Sequence, residues 1–186
     1  MNDLEAKRLV EKEAPLLSPR ESLFLRVIGK GETSYGRGWK DNSDIPGAVG
    51  DPRTSFNWGA INALKDQPFF TYMDGLPGKK EPRKFRVYPN DGAGIRDLFR
   101  TLYVRRRTLQ TAVFNGDARQ AVTIMSQPPI YFELPLNQYL STAQKNYESI
   151  IKNTGEPDIL SFSSGTGDLL LIATIGGGIW AVNKWL

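Results

Sequence analysis

The sequence contains no cysteine and no histidine among its 186 residues. The missing thiols exclude disulfides and thiolate nucleophiles, and the two absences together exclude Cys/His zinc sites. Without imidazole there is no Ser-His-Asp triad and no histidine acid or base. Any catalysis therefore falls to carboxylates, Tyr, Ser, Lys or Arg, and no cofactor or metal enters the reading. Lack of cysteine permits an oxidising location without requiring one. No apolar run follows Met1-Asn-Asp-Leu-Glu, so no cleavable secretory signal is expected. Internal repeats are absent as well.

What is present suits a packed core. Forty percent of residues are hydrophobic and 24% are charged, which argues against wholesale disorder. The length allows one ordinary domain with a short appendage. A net charge of +4 gives a mild bias toward anionic partners.

Residues 1–17 are charge-rich and show no clean apolar stripe, so they are expected to form an N-terminal arm. Ser18-Pro-Arg-Glu21 reads as a helix start, with Ser18 as cap, Pro19 at the first position and Glu21 three beyond the cap. Leu23, Phe24, Val27 and Ile28 recur at helical spacing, and Gly29 and Gly31 are expected to close that helix. Residues 33–68 form a long Gly/Asp/Asn/Ser/Pro-rich stretch, which in a compact domain is functional or disordered. The β-prone runs Phe69-Phe-Thr-Tyr-Met and Lys84-Phe-Arg-Val-Tyr predict a hairpin. Three helix faces follow: Ile95 to Tyr103, Ala118 to Met125, and Leu136 to Ile151 with Pro135 at its start. The expected fold is α+β, mainly α, with one small hairpin.

Residues 153–167 read as a flexible linker. From Leu169 to Val182 no residue is charged, and Trp180, Lys184 and Trp185 suit a bilayer interface. As a helix, 169–186 spans roughly 27 Å at about 1.5 Å per residue, near the lower limit for the hydrocarbon core. Residues 168–186 are therefore expected to be a C-terminal transmembrane anchor, the alternative being a helix docked on the domain.

Glu32 is the first candidate for chemistry. It follows an apolar helix beside Tyr35 and Trp39, and desolvation there would raise its pKa toward that of a general acid. An ordinary solvated glutamate in a loop is the competing reading.

Four blocks occur in a set order: Glu32-Thr-Ser-Tyr-Gly; Ser55-Phe-Asn-Trp-Gly-Ala-Ile-Asn; Phe85-Arg-Val-Tyr-Pro-Asn leading into a helix; and Ile130-Tyr before a last helix. Over residues 20–151 this order resembles the bacterial and phage glucosaminidase family, glycoside hydrolase family 73. The resemblance implies a lysozyme-like helical lobe carrying a small β-lobe, with a glycan cleft between them. It implies a substrate of β-1,4-linked GlcNAc and MurNAc in peptidoglycan. Glu32 matches the family's general acid, and Tyr131 falls where the family has an active-site tyrosine, although Tyr-Phe-Glu-Leu-Pro replaces its usual motif. Tyr35, in the glutamate motif, is expected to bind substrate, and Phe56, Asn57 and Trp58 match a floor loop that contacts sugar. The family's second carboxylate lies on the β-lobe. Asp66, Asp74 and Glu81 are the candidates, with Asp74 first by position and a turn-forming aspartate before Gly75 as the other reading.

Residues 79–107 hold ten Lys and Arg against three acids, net +7. Such a stretch suits anionic peptidoglycan or a bilayer surface, with a solvated helix surface as the plainer reading for residues 105–107. Gly29-Lys-Gly-Glu-Thr-Ser lacks the spacing and preceding strand of a phosphate loop. The domain reading is an arm (1–17), a lysozyme-like catalytic domain (18–152), a linker (153–167) and an anchor (168–186). Expected partners are peptidoglycan glycan strands, a lipid membrane and other virion proteins, with no specific nucleic acid. The expected location is the virion membrane of a bacteriophage, or a bacterial cell envelope. The rival functions are a lytic transglycosylase using Glu32 alone and a structural membrane protein on an inert scaffold.

Overall fold

The computed structural model describes residues 1–75, 79–128 and 131–163. The fold is α+β and mainly helical. The six helices are α1 (Asp3–Glu13), α2 (Pro19–Thr33), α3 (Asp91–Phe99), α4 (Arg107–Phe114), α5 (Ala118–Met125) and α6 (Leu136–Thr154). The hairpin pairs β1 (Phe69–Asp74) with β2 (Glu81–Arg86). Among the described residues no helix is long and apolar enough to cross a membrane. The segment 168–186, expected as an anchor, lies outside the described residues.

The first 17 residues are not a free arm. Asn2 caps α1 in a reciprocal box with Glu5, and Ala6 and Val10, four apart, are fully buried. The charge-rich sequence concealed this helix because a polar contact completes its docking. The Asp3 carboxylate accepts bonds from Lys30 Nζ at 2.8 Å, Tyr35 Oη at 2.7 Å and Asn153 Nδ2 at 2.7 Å. Burial alone would raise the Asp3 pKa. The bonds from Lys30, Tyr35 and Asn153 outweigh it and hold the carboxyl below its ordinary value.

α2 is the central helix. Its Ser18–Glu21 capping box and Pro19 stand as the sequence predicts, and Leu23, Phe24, Leu25, Val27 and Ile28 are buried in the core. Gly29 and Gly31 do not close it; the helix runs on to Thr33. These glycines serve close approach instead. A Cβ on Gly29 would stand 3.1 Å from the Trp58 ring, and one on Gly31 would stand 2.8 Å from Asn146 Nδ2. Glu32 thus sits in the last helical turn, not in a loop.

β1 and β2 pair antiparallel from Phe69 opposite Arg86 to Asp74 opposite Glu81. Phe70 and Phe85 stack at 5.6 Å, and Trp39 caps them at 4.8 and 5.1 Å. The long 33–68 stretch supplies that cap and is tied down by backbone bonding. Thr71 N donates to Val49 O at 2.8 Å, and Asn42 Nδ2 donates to Thr71 O at 2.7 Å. The hairpin therefore has its own small aromatic core beside the helical one.

A π-helical turn over Arg100–Val104 follows α3. α4, which sequence reading passed over, buries Leu109, Ala112 and Val113. Arg106, with a non-helical backbone, separates it from the π-turn.

The linker expected over 153–167 is a docked strap as far as residue 163. α6 continues to Thr154, and Leu160 and Phe162 are buried beyond it. Ser161 N donates to Gly116 O at 2.7 Å. Tyr147 Oη accepts bonds from Ile159 N at 2.9 Å and Leu160 N at 3.1 Å. The strap is also held by Arg26, a fully buried cation on α2 that grips both Glu156 oxygens at 2.8 and 2.7 Å. Breaking a buried pair from one side leaves an uncompensated charge. Glu156→Ala is expected to lower the unfolding free energy by about 3–5 kcal/mol, read from urea denaturation.

Candidate active site

The turn after α2 is the first part of the site. Ser34, Tyr35 and Gly36 all adopt left-handed backbone, at φ of 47°, 61° and 75°, and reverse the chain immediately beyond Glu32. Thr33 fixes this turn. Its hydroxyl donates to Trp58 O at 2.9 Å and accepts from Gly36 N at 2.8 Å. The reversal drives Tyr35 inward, where its ring meets Trp58 at 5.2 Å and its hydroxyl donates to Asp3. At 2% exposure, Tyr35 is a core residue and offers no surface to a substrate, contrary to the expected binding role.

The floor loop is also structural at the positions singled out. Asn57 is fully buried. Its Nδ2 donates to Ile61 O at 2.9 Å and Arg86 O at 3.0 Å, and its Oδ1 accepts from Ile61 N at 2.9 Å. Trp58 is fully buried too, and its Nε1 donates to Asp91 Oδ1 at 2.9 Å at the start of α3. Phe56, at φ 49°, lies under the Arg37 guanidinium at 4.8 Å. These three residues hold the loop in place and do not line the cleft. Ala60 and Asn62 of the same loop do.

Between the lobes lies a cleft of about 380 Å³. Glu32, Tyr139 and Leu134 come to it from the helical lobe, and Asp74, Arg83 and Phe85 from the hairpin. A neighbouring recess of about 280 Å³ shares Glu32, Ala60, Asp74 and Phe85 and extends to Trp39 and Tyr72. A slot of about 80 Å³ between α2 and α6 shares Glu32, Leu134 and Tyr139 with the cleft. Glu32 is therefore common to all three parts of the depression.

The Glu32 pKa is raised to about 7. Burial is the main cause, the Asp74 charge adds to it, and a hydrogen bond from Tyr139 opposes it. The Tyr139 hydroxyl donates to Glu32 Oε1, and its ring stacks on Phe132 at 3.7 Å, 7° from parallel. Sequence reading missed Tyr139. The available signal was a phenol on the apolar face of α6, three residues after Leu136 and four before Ala143.

Tyr131 does line the cleft, but its hydroxyl is committed to Gly59 O at 2.8 Å and its ring carries the Arg106 guanidinium at 5.6 Å. Burial pushes its pKa well above the ordinary tyrosine value, with the nearby Glu32 charge adding to the rise. The phenol closest to the glutamate chemistry is thus Tyr139, whereas Tyr131 braces the floor.

Of the three β-lobe acids, Asp74 alone lines the cleft with Glu32; Asp66 and Glu81 are exposed elsewhere. Asp74 is 45% exposed and pairs with Arg83 at 3.2 Å. Arg83 also meets Glu81 at 3.1 Å and bonds Glu133, linking the hairpin to the segment before α6. Among the described residues no group of three or more acids converges as a metal site requires.

The site therefore presents a carboxyl that is about half protonated near neutrality, facing a second carboxylate across a groove. No protein-family model matches the sequence, and no curated protein and no solved structure matches it.

Two measurements check the electrostatics. Carboxyl NMR titration should show the Glu32 pKa rising in Tyr139→Phe, which removes a bond to the ionised form, and falling in Asp74→Asn, which removes a repelling charge. Shifts in the same direction would contradict the assignment. Because the folded-state pKa lies above the ordinary 4.5, folding takes up a proton between about pH 4.5 and 7. The associated stability is fully present below 4.5 and is lost as pH rises through 7. Glu32→Gln should accordingly raise Tm by a few degrees at pH 8 and change it little at pH 4.

Proposed function

We propose that the protein is a peptidoglycan glycosidase on a lysozyme-like scaffold, cleaving β-1,4 bonds between GlcNAc and MurNAc. The observation that carries this reading is Glu32. Its carboxyl is pushed to about 7 by burial, at the wall of a groove with Asp74 opposite. A glycosidic oxygen is a poor leaving group until it is protonated, and a carboxyl with a pKa near the working pH is suited to supply that proton. Tyr139 holds Glu32 Oε1, which leaves Oε2 without a hydrogen bond among the described residues. Asp74 serves as the second carboxylate, which activates water or stabilises the developing positive charge on the sugar. The order of motifs shared with the glucosaminidase family supports the substrate class.

The apolar run 169–182 supports a membrane anchor. A phage virion membrane is the favoured context, with the enzyme opening the wall during genome delivery; a bacterial envelope is the alternative. A lytic transglycosylase is the second mechanism, favoured by one observation: Asp74 is half-exposed and already engaged by Arg83. In that case Glu32 suffices and the substrate's N-acetyl group assists.

The test is digestion of purified peptidoglycan, with mass spectrometry of the products. Wild type should clear a zymogram, and Glu32→Gln should lose about 10²–10⁴-fold in rate while keeping the wild-type circular dichroism. The kcat/KM should fall with unit slope above about pH 7 as Glu32 ionises. Reducing ends with strong loss in Asp74→Asn identify the hydrolase; 1,6-anhydro ends with Asp74→Asn active identify the transglycosylase. No clearing by folded wild type overturns both.

A further inference from the structure

Residues 98–116 contain four arginines and no acid. Arg106 turns inward, over Tyr131 and bonded to Thr101 O at 3.1 Å. Arg100, Arg105 and Arg107 are exposed and make no ion pair among the described residues. Glu21, which meets α4 through Gln110, is buried and is also bonded to Ser18, and Asp117 beyond the end of α4 caps α5 through Gln120 N.

Two large apolar side chains of the same stretch are exposed as well. Val104 is 55% exposed and Phe114 is 61% exposed. On α4 the spacing puts Arg107, Thr111 and Phe114 on one side of the helix; all three are exposed, while Leu109, Ala112 and Val113 face the core.

The described part of the strap ends near the same helix. Arg20 bonds Phe114 O at 2.7 Å and Ile159 O at 3.2 Å, so the end of α4 and the strap lie side by side. Ser161 bridges to Asp117 just beyond α4. Only residues 164–168 separate Ser163 from the uncharged apolar run. The six Cα–Cα steps from Ser163 to Leu169 reach at most about 22 Å. If the run enters a bilayer, Ser163 stays within that distance of it, and the end of α4 lies beside the strap that ends there.

We infer that the surface formed by Arg100, Val104, Arg105, Arg107 and Phe114 lies against an anionic lipid bilayer. Arginines meet the headgroup charge, and Val104 and Phe114 enter the interface. A soluble polyanion would use the arginines but has nothing to offer the apolar pair. The inference rests on the anchor reading of 168–186 and is independent of the glycosidase chemistry.

The chain has no native cysteine, so one introduced thiol gives a unique label. Full-length Phe114→Cys, and Val104→Cys as a second position, would carry an environment-sensitive nitrobenzoxadiazole dye. Leu64→Cys, on an exposed residue outside this surface, is the control. Each is mixed with phosphatidylcholine vesicles containing 30% phosphatidylglycerol. The expected result is a blue shift at 104 and 114 but not at 64. Adding Arg105→Glu and Arg107→Glu should at least halve that shift while the chain still co-sediments through its tail. Co-sedimentation with no shift at 104 or 114 overturns the surface. Failure of the full chain to co-sediment overturns the anchor reading and this inference with it. An equal shift with soluble poly(glycerol phosphate) overturns the lipid assignment in favour of a wall polymer. Peptidoglycan clearing by the same labelled chains reports separately on the glycosidase reading.

Discussion

The indole of Trp58 fills the seam between α2 and α3, and the two lobes meet around it. Gly29 on α2 and Gly94 on α3 make the room: a Cβ on either would stand 3.1 or 3.3 Å from the ring, and one on Gly94 would also lie 2.1 Å from Phe56 O. The Trp58 carbonyl accepts from Thr33, beside Glu32, and its Nε1 donates to Asp91 at the start of α3. One side chain thus sets the depth of the floor loop, the angle of the turn after α2 and the entry to α3. Through Asn57, bonded to Arg86 O, the same loop fixes where the hairpin stands. The groove exists because this joint holds the hairpin beside α2 without closing over Glu32.

The electrostatic design of the groove works against stability. A carboxyl whose ionised form is disfavoured by burial and by Asp74 sits where a neutral side chain would fold better at neutral pH. Elsewhere the fold treats buried charge differently. Asp3 receives three donors, and Arg26 receives both oxygens of Glu156. Each of those groups has a partner of opposite charge, as buried ions generally must, and Asp3 has two neutral donors besides. Glu32 receives one phenol and a like charge. Among the described acids the contrast marks Glu32 as the one whose surroundings favour holding a proton.

Part of the fold and less of the site were legible in the sequence. The cap at Ser18, the hairpin, the start of α6 and the presence of Glu32 and Asp74 on one cleft follow from local patterns or from the order of motifs. What escaped shares a physical cause. α1 docks through the Asp3 carboxylate, and apolar periodicity does not register a polar anchor. The strap docks through Leu160 and Phe162 amid Ser and Gly, a composition that reads as linker. Tyr35, Asn57 and Trp58 were singled out by the motifs they lie in, but sequence does not distinguish a side chain that faces a cleft from one that braces its wall. Tyr139 went unnamed on a face whose neighbours Leu136 and Ala143 mark the core, while its hydroxyl reaches Glu32.

The strap also has a mechanical aspect. Whatever pulls on the chain beyond Ser163 pulls first on the Ser161 bridge and on the buried Leu160 and Phe162. Next along the line is the Arg26–Glu156 clasp, which passes the load to the middle of α2. Arg26 lies six residues before Glu32, nearly two turns up the same helix. Force is thus delivered to the most deeply packed element of the fold and shared among the helices around it. The hairpin and the mouth of the groove lie off that line, so a tethered domain can be held under tension with its cleft unstrained.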